Sequence, residues 1–206
     1  MDCGIIKMES RFKPDQENEP HQQYDEKEKR MTIISSDTLS DTHKLPEDPQ
    51  EIIEKLHLAP LEAEGGLVNQ TYLSTFKIEG APAGTSIYYL LRGESFSHLH
   101  QLTGDEQYHF YLGDPVELTE LMPDGTFKTT ILGQDILAGQ EVQHLVPAGN
   151  WQGSRLAKGG KWALLGTTMW PGYTDACYTH GNAEDLLKQY PEAEEKIREL
   201  TGNVSY

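Results

Sequence analysis

Between Leu67 and Met169 the chain is a succession of short apolar runs, and their spacing constrains the fold more than any other feature. The runs Leu67 to Ile78, Ser86 to Leu91, Gln107 to Leu112, Val116 to Leu121, Phe127 to Ile131, Val142 to Val146 and Trp162 to Met169 are rich in β-branched and aromatic residues. Such residues suit a pleated, half-buried surface. Turn chemistry separates them: Gly80-Ala81-Pro82-Ala83-Gly84, Pro123-Asp124-Gly125 and Lys158-Gly159-Gly160. Many short strands at near-regular spacing predict an all-β sandwich or barrel. Helices are expected only at the flanks. Asp48-Pro49-Gln50-Glu51 reads as a capping pattern ahead of the stripe Ile52, Ile53 and Leu56, with Asp48 at the N-cap, Pro49 at the first helical position and Glu51 reaching back. Asn182 reads as the cap of a helix through Gln189, and Pro191 opens another through Leu200, stopped by Thr201-Gly202.

Residues 1–38 have a different character. Segments such as Gln22-Gln23-Tyr24-Asp25-Glu26-Lys27-Glu28-Lys29-Arg30 carry interspersed charges and no apolar period, so they cannot bury enough surface to offset the entropy of ordering. A disordered tail over 1–38 and one folded domain over 39–206 follow. The formal net charge of −16 resides mostly in that domain, which makes nucleic acid and anionic membrane poor partners. Two cysteines, Cys3 and Cys177, imply no disulfide framework. No stretch approaches the ~20 apolar residues of a membrane span, and the first residues lack the apolar core of a signal peptide. A soluble, cytoplasmic protein is expected.

The residues that suggest chemistry lie at Gly93-Glu94-Ser95-Phe96-Ser97-His98-Leu99-His100, followed by Gly104-Asp105-Glu106 and closed by Gly113. If residues 96–101 are extended, positions two apart share a face, and His98 and His100 stand side by side. A turn at Thr103-Gly104-Asp105 then brings Glu106 back on the neighbouring strand. Two imidazoles and a carboxylate on one inward face would suit divalent iron, manganese, zinc or nickel. Without such convergence, histidines of this kind are ordinary hydrogen-bonded strand residues. By the same alternation Tyr108 and Phe110 share the face of Glu106, while His109 and Tyr111 point away. Tyr88 and Arg92 share one face of their strand and Tyr89 the other, with the inner face left open.

The segment from Gly93 to Gly113 resembles the first cupin motif, and Pro147-Ala148-Gly149-Asn150-Trp151-Gln152 resembles the second, with Gln152 where the fourth ligand, a histidine, would stand. Together with Glu62-Ala63-Glu64-Gly65-Gly66, Val146 to Leu156 and Trp170-Pro171-Gly172-Tyr173, the pattern is similar to the cupin family once catalogued as a domain of unknown function, DUF985 or cupin-5, over roughly residues 40 to 202. The resemblance implies a double-stranded β-helix, a jelly-roll barrel with short flanking α-helices, usually dimeric, with a pocket in the barrel and no settled general activity. It also implies that the positions of His100 and Glu106 recur, whereas that of His98 varies and the second-motif position is usually Gln, as here. His98, His100, Glu106 and Gln152 are therefore the candidate ligands of a divalent metal. With Gln152 facing inward, Ser154 joins it, and Trp151 and Arg155 face out.

Three functional classes suit these residues. In an isomerase or epimerase similar to the sugar-nucleotide epimerases of the cupin barrel, His100 or His98 would act as base and Tyr108 or Tyr88 as acid, beside Glu106. A metal-dependent oxygenase would use His98, His100 and Glu106 as a facial triad. A storage-type cupin would only hold a ligand. The favoured expectation is a homodimeric protein that binds a small polar ligand, carbohydrate- or nucleotide-sugar-like, through Tyr88, Phe110, Gln152 and Ser154, with His100, Glu106 and Tyr108 catalytic.

Overall fold

The computed structural model describes residues 45–206; the tail expected over 1–38 lies outside the described residues. Two antiparallel sheets dominate. The first runs in the order β1 (Ala59–Pro60), β2 (Leu67–Leu73), β5 (Thr85–Arg92), β12 (Trp162–Trp170), β7 (Asp105–Gly113) and β10 (Gln143–Val146). The second runs β13 (Tyr178–His180), β6 (Phe96–Leu102), β11 (Trp151–Leu156), β8 (Val116–Leu121) and β9 (Phe127–Leu132). A ribbon of β3 (Lys77–Ile78) and β4 (Ala81–Pro82) interrupts the single strand expected through Ile78. Strands distant in sequence interleave, with β12 between β5 and β7 and β11 between β6 and β8, which is jelly-roll winding. The two sheets remain separate hydrogen-bonded units, so the expected barrel is realised as a sandwich.

Apolar residues fill three layers. Between the sheets lie Tyr89, Leu91, Tyr108, Phe110, Leu118 and Leu165. The outer face of the first sheet is covered by α1 (Gln50–Lys55), whose Ile53 packs in one cluster with Leu67, Leu90 and Leu164. This helix starts one residue later than its capping pattern predicts: Asp48 accepts the Gln50 N–H at 3.0 Å, and Gln50 rather than Glu51 uses its side chain locally, on Glu54. The second sheet is covered by α2 (Ala183–Gln189) and α3 (Glu194–Glu199), which set Leu186, Tyr190, Ile197 and Leu200 against Leu99 and Leu121. Asn182 caps α2 as its sequence predicts, accepting the Asp185 N–H at 3.1 Å. Each fully buried leucine contributes about 1.5–3 kcal/mol. Buried polar residues between the sheets cost stability unless they are partnered, and they mark the site.

One irregularity in β6 decides how that site is built. Gln152 stands opposite His100 and Ser154 opposite Ser97, so two steps along β11 match three along β6. The extra residue forms a β-bulge at His98-Leu99. Gly153 faces it: a Cβ there would come within 2.9 Å of the Ser97 carbonyl oxygen and 3.3 Å of Leu99 Cα.

Candidate functional site

The bulge shifts β6 out of simple alternation, and Ser97 rather than His98 shares the inner side with His100. Ser97 Oγ donates to Glu64 Oε1 at 2.6 Å. His98 instead stacks on His180 at 3.8 Å between ring centroids, and its Nδ1 bonds the Leu99 carbonyl at 3.0 Å. Burial pushes its pKa below the ordinary value. The expected side-by-side pair of His98 and His100 is therefore corrected.

His100 is buried and lines a cavity of about 450 Å³ between the sheets, together with Glu64, Glu106, Thr167, Tyr173, Asp175 and Tyr178 among others. Its Nδ1 lies 2.8 Å from the His98 carbonyl oxygen, which can only accept, so Nδ1 carries a proton. In the neutral ring Nε2 then presents its lone pair, and among the described residues no protein group hydrogen-bonds it. The ring stacks on Tyr178, with centroids 5.2 Å apart. Burial, followed by the charge of Glu64, pushes the Tyr178 phenol up, so it stays protonated.

Glu106 enters the cavity from β7, on the opposite sheet, and is 7% exposed. Gln152 Nε2 donates to its Oε2 at 2.7 Å, a hydrogen bond that bridges the sheets. Burial raises the Glu106 pKa, with His100 opposing, so this carboxyl retains its proton to higher pH than a free glutamate. Among the described residues, Gln152 Oε1 and Ser154 Oγ are buried without a protein partner. Alternation along β7 places Tyr108 and Phe110 inside as expected, but both belong to the apolar core rather than to the cavity lining. Burial and then the charge of Glu106 drive the Tyr108 phenol well above its usual range, which disfavours the acid role assigned to it.

Tyr88 is displaced furthest from its expected role. It lies on the outer face of the first sheet, packed under α1 and edge-on to Tyr111 at 6.0 Å, so it does not reach the interior. Two residues gain importance instead. Glu64 arrives from the turn before β2 and Tyr178 from the edge strand β13. Glu64 lay within one of the motif segments, but nothing local signals that its turn folds back over β6, where its carbonyl accepts the His98 N–H at 2.8 Å.

A divalent metal would need its donors gathered round one point. His98 diverges at the bulge, and the Gln152 amide nitrogen is turned to Glu106. Among the described residues no three His, Cys, Asp or Glu side chains form such a group. The set of His98, His100, Glu106 and Gln152 does not fit the metal.

A second polar cluster ties the sheets together away from the cavity lining. Glu120 of β8 is fully buried and accepts from His144 Nε2 at 2.7 Å, Lys128 Nζ at 2.9 Å and Asn150 Nδ2 at 2.9 Å. His144 Nδ1 also meets Glu141 Oε2 at 2.7 Å. Glu120 raises the His144 pKa above its ordinary value, with burial opposing. At Glu120 burial acts upward, yet the three donors together hold the carboxyl below its usual range.

Two sheets wound as a jelly roll around an interior pocket with a histidine and a glutamate from facing strands define a protein of the cupin class. The chain belongs to the cupin superfamily family DUF985, whose model matches residues 50–180. A solved protein of Shewanella oneidensis is 32% identical, with a TM-score of 0.70, over 74% of this chain and 96% of that one. A hypothetical protein from Leishmania major is 28% identical, also with a TM-score of 0.70, over 74% and 97% of the respective chains. No curated protein matches. Among the described residues no helix is long and apolar enough to cross a membrane.

Proposed function

We propose that the cavity binds a small, hydroxyl-rich carbonyl compound and that His100 and Glu106 isomerise or epimerise it by proton transfer. One observation carries this reading: the two residues reach one cavity from opposite sheets, His100 with its Nδ1 engaged by a backbone carbonyl and Glu106 buried. The Nδ1 contact leaves the His100 Nε2 lone pair free to take a proton, and burial favours the protonated form of Glu106 that can give one. His100 Nε2 takes the proton from the carbon beside the carbonyl while the Glu106 carboxyl gives its proton to the carbonyl oxygen, forming an enol. Return of a proton to either face of that carbon, or to the neighbouring one, completes the exchange and regenerates both groups. Thr167, Tyr173 and Tyr178 supply hydroxyls to hold the substrate. Among the described residues no lysine or arginine lines the cavity, so a free sugar suits it better than a nucleotide-sugar, whose diphosphate would meet the Glu64 carboxylate without a compensating cation.

The test is solvent exchange. Aldoses and ketoses of five and six carbons, incubated with the protein in deuterium oxide, should gain deuterium beside the carbonyl, read by mass spectrometry. His100→Ala and Glu106→Gln should each slow that exchange by about 10²–10⁴-fold. Saturable binding with no exchange would sink the catalytic reading and leave a binding protein.

A further inference from the structure

The cavity holds an imbalance that the catalytic reading does not use. Glu64 lines it beside Glu106, and among the described residues it has no lysine or arginine within salt-bridge distance, whereas burial favours the uncharged form of Glu106. The partners that Glu64 does have are a neutral hydroxyl, Ser97 Oγ at 2.6 Å, and His100 Nδ1 at 4.0 Å, whose proton is committed to the His98 carbonyl. Glu64 keeps only 18% of its side-chain surface exposed, and the fully buried carboxylate of Glu120 shows the usual alternative, compensation by Lys128 and His144. An uncompensated carboxylate is costly to keep away from water, and a cationic ligand would offset that cost.

His100 supplies an independent observation. It is 2% exposed, faces the same cavity and offers an Nε2 lone pair that no described residue occupies. This lone pair adds an acceptor to the carboxyl oxygens of Glu64 and Glu106, which favours a ligand that brings N–H and O–H groups. Asp175 adds a third carboxylate to the lining, and Tyr173 and Tyr178 add aromatic rings of the kind that attract ammonium groups. The net charge of −16 also draws cations toward the protein and repels anions.

We propose that the ligand of this cavity is a polyhydroxylated amine, of the amino-sugar class, whose ammonium group is held by Glu64 beside Tyr178 while its hydroxyls reach His100 and Glu106. This rests on the cavity being the small-molecule site, and it adds the charge of the occupant. Three open-chain polyols that differ at a single carbon separate the two ideas: 1-amino-1-deoxyglucitol (cationic), glucitol (neutral) and gluconate (anionic). Calorimetric titration of the full chain at pH 7 and low salt should show the amine binding at least tenfold tighter than glucitol, with gluconate weakest. Raising the salt to 0.5 M should weaken the amine alone. Glu64→Gln, which retains an acceptor for Ser97, should collapse the ratio of amine to glucitol to about one. Equal binding of amine and glucitol, or tighter binding of gluconate, overturns the charge assignment while the cavity remains a binding site. Failure of all three to bind at 20 mM overturns both readings. If Glu64→Gln does not fold, the salt series on the parent protein decides: an amine affinity insensitive to salt refutes the proposal.

Discussion

Replacing Glu120 by alanine tests whether the buried cluster on β8 joins the two sheets energetically as well as geometrically. Hydrogen bonds to a charged group contribute about 1.5–3 kcal/mol each when their partners are buried. His144, whose side chain is 10% exposed, and the buried Asn150 both meet that condition. Lys128, at 45% side-chain exposure, can turn to water, and its share is about 0–1 kcal/mol. The expected loss for Glu120→Ala is therefore about 3–6 kcal/mol, a large part of the ~5–15 kcal/mol that holds a domain of this size together. Lys128→Ala should cost under about 1 kcal/mol. Urea denaturation followed by tryptophan fluorescence at pH 6 measures both. A Glu120→Ala loss below about 1 kcal/mol, or a Lys128→Ala loss that equals it, would show that the cluster is incidental.

Acidity should shape stability in a way that separates three groups. His144 is raised above its ordinary 6.5, so its contribution is complete below that value and disappears as pH climbs through the folded-state pKa. Glu120 is held below 4.5, so its contribution is present above 4.5 and is lost as pH falls through its folded-state pKa. Glu106 is raised above 4.5 by burial, so stability falls as pH rises from 4.5 through its folded-state pKa. In melting curves recorded from pH 4 to 9, His144→Gln should remove the decline above about 6.5 and Glu106→Gln the one that begins near 4.5; parent curves flat across the range would contradict both. Gly153→Val should lower the melting temperature by several degrees, about 1–3 kcal/mol, because its side chain would meet the Ser97 carbonyl oxygen and Leu99. An unchanged melting temperature would show that the bulge yields freely. We also propose a homodimer, because Tyr72 and Leu73 at the end of β2, Phe76 after it and Ile78 in the β3–β4 ribbon all expose large apolar side chains within one short stretch of chain; light scattering at the monomer mass would refute it.

Much of the architecture was legible because it depends on local chemistry. The strand runs, the Asn182 cap and the turn at Pro123-Asp124-Gly125 each combine residue preference with short-range geometry, and Glu106, Tyr108 and Phe110 lie inward as simple alternation predicts. Alternation then misled at His98, since a bulge depends on how β6 meets β11, and the glycine opposite it is remote in the chain. Tyr88 posed the converse difficulty. Its strand is apolar on both faces, because α1 covers one side and the second sheet the other, so composition could not say which face was inner. Glu64 and Tyr178 reach the cavity from a folded-back turn and an edge strand, and no periodicity marks them.

The extra residue in β6 works like a change of reading frame for side-chain direction. Ironed flat, the same letters would set His98 beside His100 and turn Ser97 outward, exchanging a hydroxyl that anchors Glu64 for a second imidazole. Whether a strand of this kind offers one nitrogen donor or two is thus a matter of backbone phase, at constant composition. A motif that names residues without their phase describes two different interiors, and the glycine at position 153 is the punctuation that selects between them.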